Sequence, residues 1–237
     1  MDRIQAFVKQ VEEALAAQDF SMEPRELYEP MGYILGLGGK RLRPALSLAA
    51  CALFEADTNK ALMPALGIEV FHNFSLVHDD IMDEADLRRG QATVHHKWNR
   101  DIAILSGDAM LVKAYQYIAQ VEAEYLPEVL NTFSQTALEI CEGQQRDMNF
   151  ESRSEVAEEE YLLMIRQKTA VLLGAALKIG ALVAGAGTES ANMLYEFGIN
   201  AGLAFQVQDD LLDAFGDPEK VGKKPGGDIL QDKETLL

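Results

Sequence analysis

Apolar residues recur every three or four positions along almost the whole chain, as in Phe7, Val11 and Leu15 and again in Tyr161, Leu162, Ile165, Val171 and Leu172. That spacing gathers apolar side chains on one face of an α-helix, and the alternation of a half-buried strand is nearly absent. The pattern predicts an amphipathic helix at the start of the chain and long helices, apolar over wide faces, at 61–83, 101–120, 127–149, 155–185 and 189–215. Punctuation supports these bounds: Gly38 and Gly39 precede Pro44, Ser154 precedes a Glu-rich turn, and residues 184–190 form a small-residue turn. Glu155, Glu158, Glu159 and Glu160 suit a helix N-terminus, where the macrodipole favours negative charge. No Pro/Gly/Ser linker and no fixed-period repeat interrupts the pattern, so the expectation is an all-α protein, one domain over 1–237 packed as a single bundle of long antiparallel helices. Gly174, Ala175, Ala176, Gly180 and Ala181 would let helices approach closely, and the amount of apolar surface fits a homodimer, though core packing alone explains the pattern equally well.

Composition bounds the function. The 237 residues are 48% hydrophobic, enough for a substantial core, and the formal net charge of −17 repels polyanions, so a non-specific nucleic-acid partner is excluded. Cys51 and Cys141 show neither metal-pair nor disulfide spacing and read as buried small hydrophobes. The first segment lacks the features of a secretory signal, and no apolar run reaches the roughly 18 residues needed for a membrane span, so cytoplasmic residence is the expectation.

Val77-His78-Asp79-Asp80-Ile81-Met82-Asp83 places three carboxylates at the end of an apolar helix, with Asp79 and Asp83 on one face. Like charges there cost stability unless cations neutralise them, and hard oxygen donors select Mg²⁺ completed by phosphates. The arrangement returns at Asp209, Asp210 and Asp213. Duplication strengthens the reading: two apolar helices ending in DDxxD can face each other across a bundle and bridge a diphosphate through metal ions. Arg88 and Arg89 follow the first motif, and Lys223, Lys224 and Lys233 the second. Gly38-Gly39-Lys40-Arg41-Leu42-Arg43-Pro44 is a glycine turn feeding a helix, a phosphate site built from backbone N–H groups and basic side chains. It is not a nucleotide-hydrolysis loop, because no Ser or Thr follows the lysine and the glycine spacing differs.

Taken together, these residues resemble the trans-type isoprenyl diphosphate synthases, or polyprenyl synthetases, of short-chain farnesyl or geranylgeranyl diphosphate type. GGKRLRP at 38–44, FHNFSLVHDDIMDEADLRRG at 71–90, GQQRD at 143–147, KTA at 168–170, FQVQDDLLD at 205–213 and GKKPGGDI at 222–229 stand in the family's order over nearly the whole chain. The resemblance implies the isoprenoid synthase fold around a central prenyl cavity. It implies about three Mg²⁺ ions on Asp79, Asp80, Asp83, Asp209, Asp210 and Asp213, holding an allylic prenyl diphosphate that Arg88, Lys168 and Lys223 also grip. Isopentenyl diphosphate would bind Lys40, Arg43, His72 and Arg89, while Gln144, Asp147, Thr169, Gln206 and Lys233 would support these contacts. The implied reaction ionises the allylic diphosphate, adds isopentenyl diphosphate to the cation and loses a proton to the released diphosphate, with no dedicated side-chain base.

His72 lies seven residues before Asp79, two turns away on the same side, where the resemblance supports diphosphate binding. His78 points off the carboxylate face and reads as a packing or surface residue, His95 and His96 as stabilising the loop after Gly90, and Trp98 as a core anchor rather than a substrate platform. Phe74 sits roughly 7.5 Å deeper than Asp79 along the helix axis, and Ser75 leaves room beside it. By family pattern the pair sets a product of fifteen or twenty carbons. Members usually continue beyond GGDI through further helices, whereas this chain stops at Leu237, so the expected bundle lacks its C-terminal helices; Lys224-Pro225 also makes the last loop stiffer and more basic than in many members. A terpene cyclase shares the first DDxxD but usually mixes Asn, Ser or Thr with Glu in the second, unlike DDLLD here, and needs no isopentenyl diphosphate pocket. A non-catalytic partner subunit of a prenyl synthase typically loses carboxylates from one motif, and both are complete here.

Overall fold

The computed structural model describes residues 2–153 and 155–215. Ser154, Lys223, Lys224, Lys233 and the GKKPGGDI segment lie outside the described residues, as does the side chain of Asp213. The described chain is helical almost throughout, as the spacing predicts: α1 (Asp2–Ala16), α2 (Arg25–Gly36), α3 (Leu42–Leu53), α4 (Asn59–Met82), α5 (Val94–Lys97), α6 (Arg100–Ile118), α7 (Leu126–Phe150), α8 (Glu158–Ile165), α9 (Val171–Val183) and α10 (Thr188–Phe215). The described strands are β1 (Leu87–Arg88) and β2 (Gln91–Ala92), a two-residue antiparallel pair turned by Gly90 at φ +75°.

Contacts divide the chain into two compact units, Met1–Leu130 with Ile179–Gly187, and Asn131–Lys178 with the residues from Thr188 onward. In the first, α4 is the central element. It buries residues on every side, among them Ala65, Leu66, Ile68, Val70, Phe71 and Val77, so it shows no single apolar stripe and packs against both α3 and α6. Burying a side chain of this size contributes about 1.5–3 kcal/mol. Asn99 caps α6, its side chain accepting from the Ile102 N–H. Trp98, expected in the core, is half-buried and anchors the preceding loop: its ring meets Tyr33 edge-on at 5.3 Å, and the Tyr33 hydroxyl donates to the Ala92 carbonyl at 2.7 Å. His96 Nε2 lies 3.4 Å from Asp86 Oδ1, which fits the loop role expected for it.

In the second unit, Phe150, Tyr161, Met164 and Ile165 form a buried cluster joined by Leu203 and Val207 of α10. The expected close approach through small residues is present: a Cβ on Gly198 would lie 2.6 Å from the Gly174 Cα. Two expectations are corrected. The helix predicted over 155–185 begins only at Glu158, leaving Glu155 ahead of it, and widens into a π-turn at Arg166–Ala170 before α9. Cys51 is buried as expected, but Cys141 is exposed, because it falls on the outward face of α7.

Candidate active site

The first acidic motif closes α4. Asp79 is half-buried and Asp83, the C-cap, is exposed, whereas Asp80 follows Asn73 and Val77 on the buried stripe and is 1% exposed. A buried carboxylate must be paired, and Arg88 supplies the pair from β1. Its Nε donates to both Asp80 oxygens at 2.9 and 2.8 Å and its Nη2 to Oδ1 at 2.7 Å. Thus Arg88, expected on diphosphate, here grips the middle carboxylate of the motif.

The basic set forms around the glycine turn before α3. Gly38 and Gly39 have φ +77° and +149°, and Arg41, the N-cap of α3, is also left-handed at φ +46°. Glycine at 39 makes room for a cation: a Cβ there would lie 3.0 Å from Arg89 Nη2. Arg89 also donates to the Gly38 carbonyl. Arg43 Nη1 sits 3.3 Å from His72 Nε2; a guanidinium can only donate, so Nε2 accepts and the imidazole proton belongs on Nδ1. Burial first, then Arg43, Arg89, Arg88 and Arg41, hold His72 well below its ordinary value, so the ring is neutral at pH 7. Burial also pushes down the Arg43 and Arg89 guanidinium groups. Lys40 is exposed at the turn, and Arg41 is buried and turned inward. Arg43, His72 and Arg89 thus come together as sequence reading expects, a positive concentration that favours an anion.

In the second unit, the π-turn presents Lys168 and Thr169. Lys168 Nζ donates to Asp147 Oδ2 at 2.5 Å, while Gln167 accepts from Arg146 Nε at 2.9 Å and donates to Glu142 Oε2 at 2.8 Å. These contacts need α7 close to the π-turn, and Gly143 permits it: a Cβ there would lie 2.4 Å from the Lys168 amide nitrogen. Thr169 Oγ1 reaches Gln206 Oε1 at 3.4 Å, and Gln206 Nε2 donates to Asp210 Oδ1 at 3.2 Å. Asp210 is 5% exposed and also accepts from the Tyr161 hydroxyl, while Asp209 is half-buried. Gln144 lies half-buried beside Gly143 on α7, and Asp213 lies in α10.

Each motif therefore turns its second aspartate into protein hydrogen bonds. Among the described residues no three carboxylate, imidazole or thiol groups form a cage for a metal. The donor set still fits Mg²⁺, which ordinarily takes one or two protein carboxylates and completes its shell with water and substrate phosphates. Phe74 is half-buried, its ring 5.4 Å from Phe71 and 4.7 Å from His78, and Ser75 donates to the His72 carbonyl at 2.9 Å. His78 fills the notch left by Gly107 and lies 3.2 Å from the Ile104 carbonyl, the packing role expected of it. Sequence reading missed Glu69, Asn73 and Tyr161. A lone carboxylate in the apolar run LGIEVF signals Glu69, since it requires a cation, but nothing local distinguishes Tyr161.

The sequence pattern of the polyprenyl synthetase family matches residues 24–237. A geranylgeranyl diphosphate synthase of Methanosarcina mazei is 45% identical over 216 residues, 90% of this chain and 67% of that protein. The crystal structure of geranylgeranyl pyrophosphate synthetase from Pyrococcus horikoshii Ot3 superposes with a TM-score of 0.93 at 40% identity, covering 99% of this chain and 72% of that one. A polyprenyl synthase from Caulobacter crescentus CB15, complexed with calcium and isoprenyl diphosphate, gives a TM-score of 0.86 at 31% identity, again over 99% of this chain and 72% of the other. With the family pattern matched over residues 24–237 and relatives 40–45% identical on the same fold, the chain belongs to the polyprenyl synthetase family.

Proposed function

We propose that the chain is a prenyltransferase that condenses isopentenyl diphosphate with an allylic prenyl diphosphate, lengthening it by five carbons to farnesyl or geranylgeranyl diphosphate. The observation that carries the reading is the grouping of Arg43, His72 and Arg89 at a glycine turn, a basic pocket that elongation requires and cyclisation does not. Arg43, Arg89 and Lys40 bind the isopentenyl diphosphate, and neutral His72 offers its Nδ1 proton to a phosphate oxygen. Lys168 and Arg88 bind the allylic diphosphate and stabilise the charge that develops as its C–O bond breaks with the electron pair on oxygen. Asp79 and Asp83 of the first motif and Asp209 and Asp213 of the second would hold Mg²⁺, about three ions by the family pattern, which would supply further charge neutralisation to the leaving diphosphate. The isopentenyl double bond then supplies the electrons of the new C–C bond, and the proton lost in restoring a double bond passes to the released diphosphate. Phe74, braced by Phe71 and His78, limits the length of the product, with Ser75 beside it.

The working form is a homodimer in the cytoplasm, the dimer being supported by exposed Leu105 and Val112 on α6; among the described residues no helix is long and apolar enough to cross a membrane. Purified protein with Mg²⁺, isopentenyl diphosphate and dimethylallyl, geranyl or farnesyl diphosphate should release pyrophosphate and give one dominant prenyl alcohol after phosphatase treatment. Phe74→Ala should lengthen that product on chromatography. Cyclic hydrocarbon from farnesyl diphosphate alone would overturn the reading in favour of a cyclase, and no turnover with any of the three starters would favour a non-catalytic partner subunit.

A further inference from the structure

The glycine turn carries Lys40, Arg41 and Arg43, with Arg89 beside it, and one of these four cations, Arg41, is turned inward onto a buried carboxylate. It is 6% exposed; its Nη1 meets Glu69 Oε1 at 2.5 Å, and its Nη2 meets the Leu35 carbonyl, one of the last carbonyls of α2, at 2.5 Å. Asn73 donates to the same Glu69 oxygen at 3.1 Å and to the Glu69 carbonyl at 2.8 Å. Glu69, His72 and Asn73 stand at i, i+3 and i+4 on α4, so they share a face. Arg41 engages Glu69 on that face, and Arg43, two residues on, engages His72 one turn along. The start of α3 is therefore pinned to α4 at two points. The inner point is charge-neutral and buried, whereas the outer one is positive and faces the anion pocket.

The backbone agrees. A left-handed arginine persists only where its surroundings over-determine it, and here the fork of Arg41 joins the end of α2, the start of α3 and the middle of α4. Every anion-facing cation of the pocket depends on that arrangement: Lys40 precedes Arg41, Arg43 follows it, and Arg89 rests on Gly39 and bonds the Gly38 carbonyl. We infer that Arg41 and Glu69 form a positioning pair for isopentenyl diphosphate, setting the turn so that Lys40, Arg43 and Arg89 meet one diphosphate while touching none of it themselves. The inference rests on the reading of that pocket as the isopentenyl diphosphate site.

Two variants and a metal-free titration test it. Arg41→Lys keeps the charge but cannot span Glu69 and the Leu35 carbonyl, and Arg41→Met with Glu69→Met removes both buried charges together, which a folded core tolerates better than removing one. Isothermal titration of each protein with isopentenyl diphosphate in EDTA, without allylic substrate, reads this pocket alone, and thermal melting reports folding. Both variants should bind isopentenyl diphosphate about ten- to hundredfold more weakly. In turnover assays KM for isopentenyl diphosphate should rise while KM for the allylic diphosphate stays within about twofold. A double variant that melts like the wild type and binds isopentenyl diphosphate equally well would overturn the inference, as would a parallel rise in both KM values, the mark of a purely structural role. Wild-type protein that binds no isopentenyl diphosphate in EDTA would instead sink the assignment of the pocket, and the inference with it.

Discussion

Asp80 and Asp210 hold the second place in their motifs, and both carboxylates are engaged by the protein's own donors, Arg88 for one and Tyr161 with Gln206 for the other. The flanking positions are more open, with Asp79 half-buried and Asp83 exposed. This separation of roles makes stability and turnover diverge. Asp80→Asn removes the charge facing Arg88, whose side chain is only 25% exposed, and breaking so buried a pair costs about 3 kcal/mol. Asp79→Asn, at a half-buried position, should cost less than Asp80→Asn while, on the proposed function, nearly abolishing turnover. Urea denaturation beside a turnover assay separates the two; a stable Asp80→Asn paired with an unstable Asp79→Asn would reverse the roles. The sequence makes the motif legible, because three carboxylates in an apolar helix demand cations. Which one turns inward depends on the buried stripe through Asn73 and Val77, and that stripe is set by the helices packed against α4 rather than by the motif itself.

At the scale of elements, the apolar spacing locates nearly every long helix, and α6, α7 and α10 fall within two residues of the ranges expected. The one large departure is the π-turn at Arg166–Ala170 inside the predicted 155–185 helix. A period of 3.6 cannot reveal it, because an inserted residue in one turn is decided by partners elsewhere in the chain. Those partners are Asp147 and Glu142 on α7, and Gly143 is the residue that lets α7 come near enough to supply them. A Cβ at 143 would meet backbone, 2.4 Å from the Lys168 nitrogen and 2.8 Å from the Gln167 carbonyl carbon, so relief requires the π-turn itself to move. Gly143→Ala should therefore cost about 1–3 kcal/mol and raise KM for the allylic diphosphate, leaving that for isopentenyl diphosphate unchanged. Gly36→Ala is the control: nothing lies within 4 Å of a Cβ at the last residue of α2, and the change should be neutral or stabilising by up to about 1 kcal/mol. Equal losses from both substitutions, or equal shifts in both KM values, would contradict the special role of position 143.

For the whole molecule, the net charge of −17 sets a paradox that local arrangement resolves: a polyanion attracts diphosphates only where cations are concentrated, as at Arg43 and Arg89. The negative field should also act on stability. The innermost pairs, Arg41–Glu69 and Arg88–Asp80, are shielded from salt, while exposed pairs such as Lys9–Glu13 contribute little, so added NaCl mainly screens self-repulsion. Raising NaCl from about 10 mM to about 150 mM, which shortens the screening length from about 30 Å to about 8 Å, should raise Tm. A gain of 1 kcal/mol corresponds to about 2–4 °C for a chain of this size. Magnesium sharpens the test. Mg²⁺ keeps most of its waters until substrate phosphates complete its shell, so Mg²⁺ alone should stabilise no more than NaCl at equal ionic strength. Mg²⁺ with inorganic pyrophosphate should add a further increment, about 2.7 kcal/mol at a hundredfold excess over Kd, because on the proposed function the anion would complete the metal's coordination. A large shift with Mg²⁺ alone would mean that the carboxylates already form a closed site, and no added shift with pyrophosphate would mean that the acidic motifs do not act through metal-bound diphosphate.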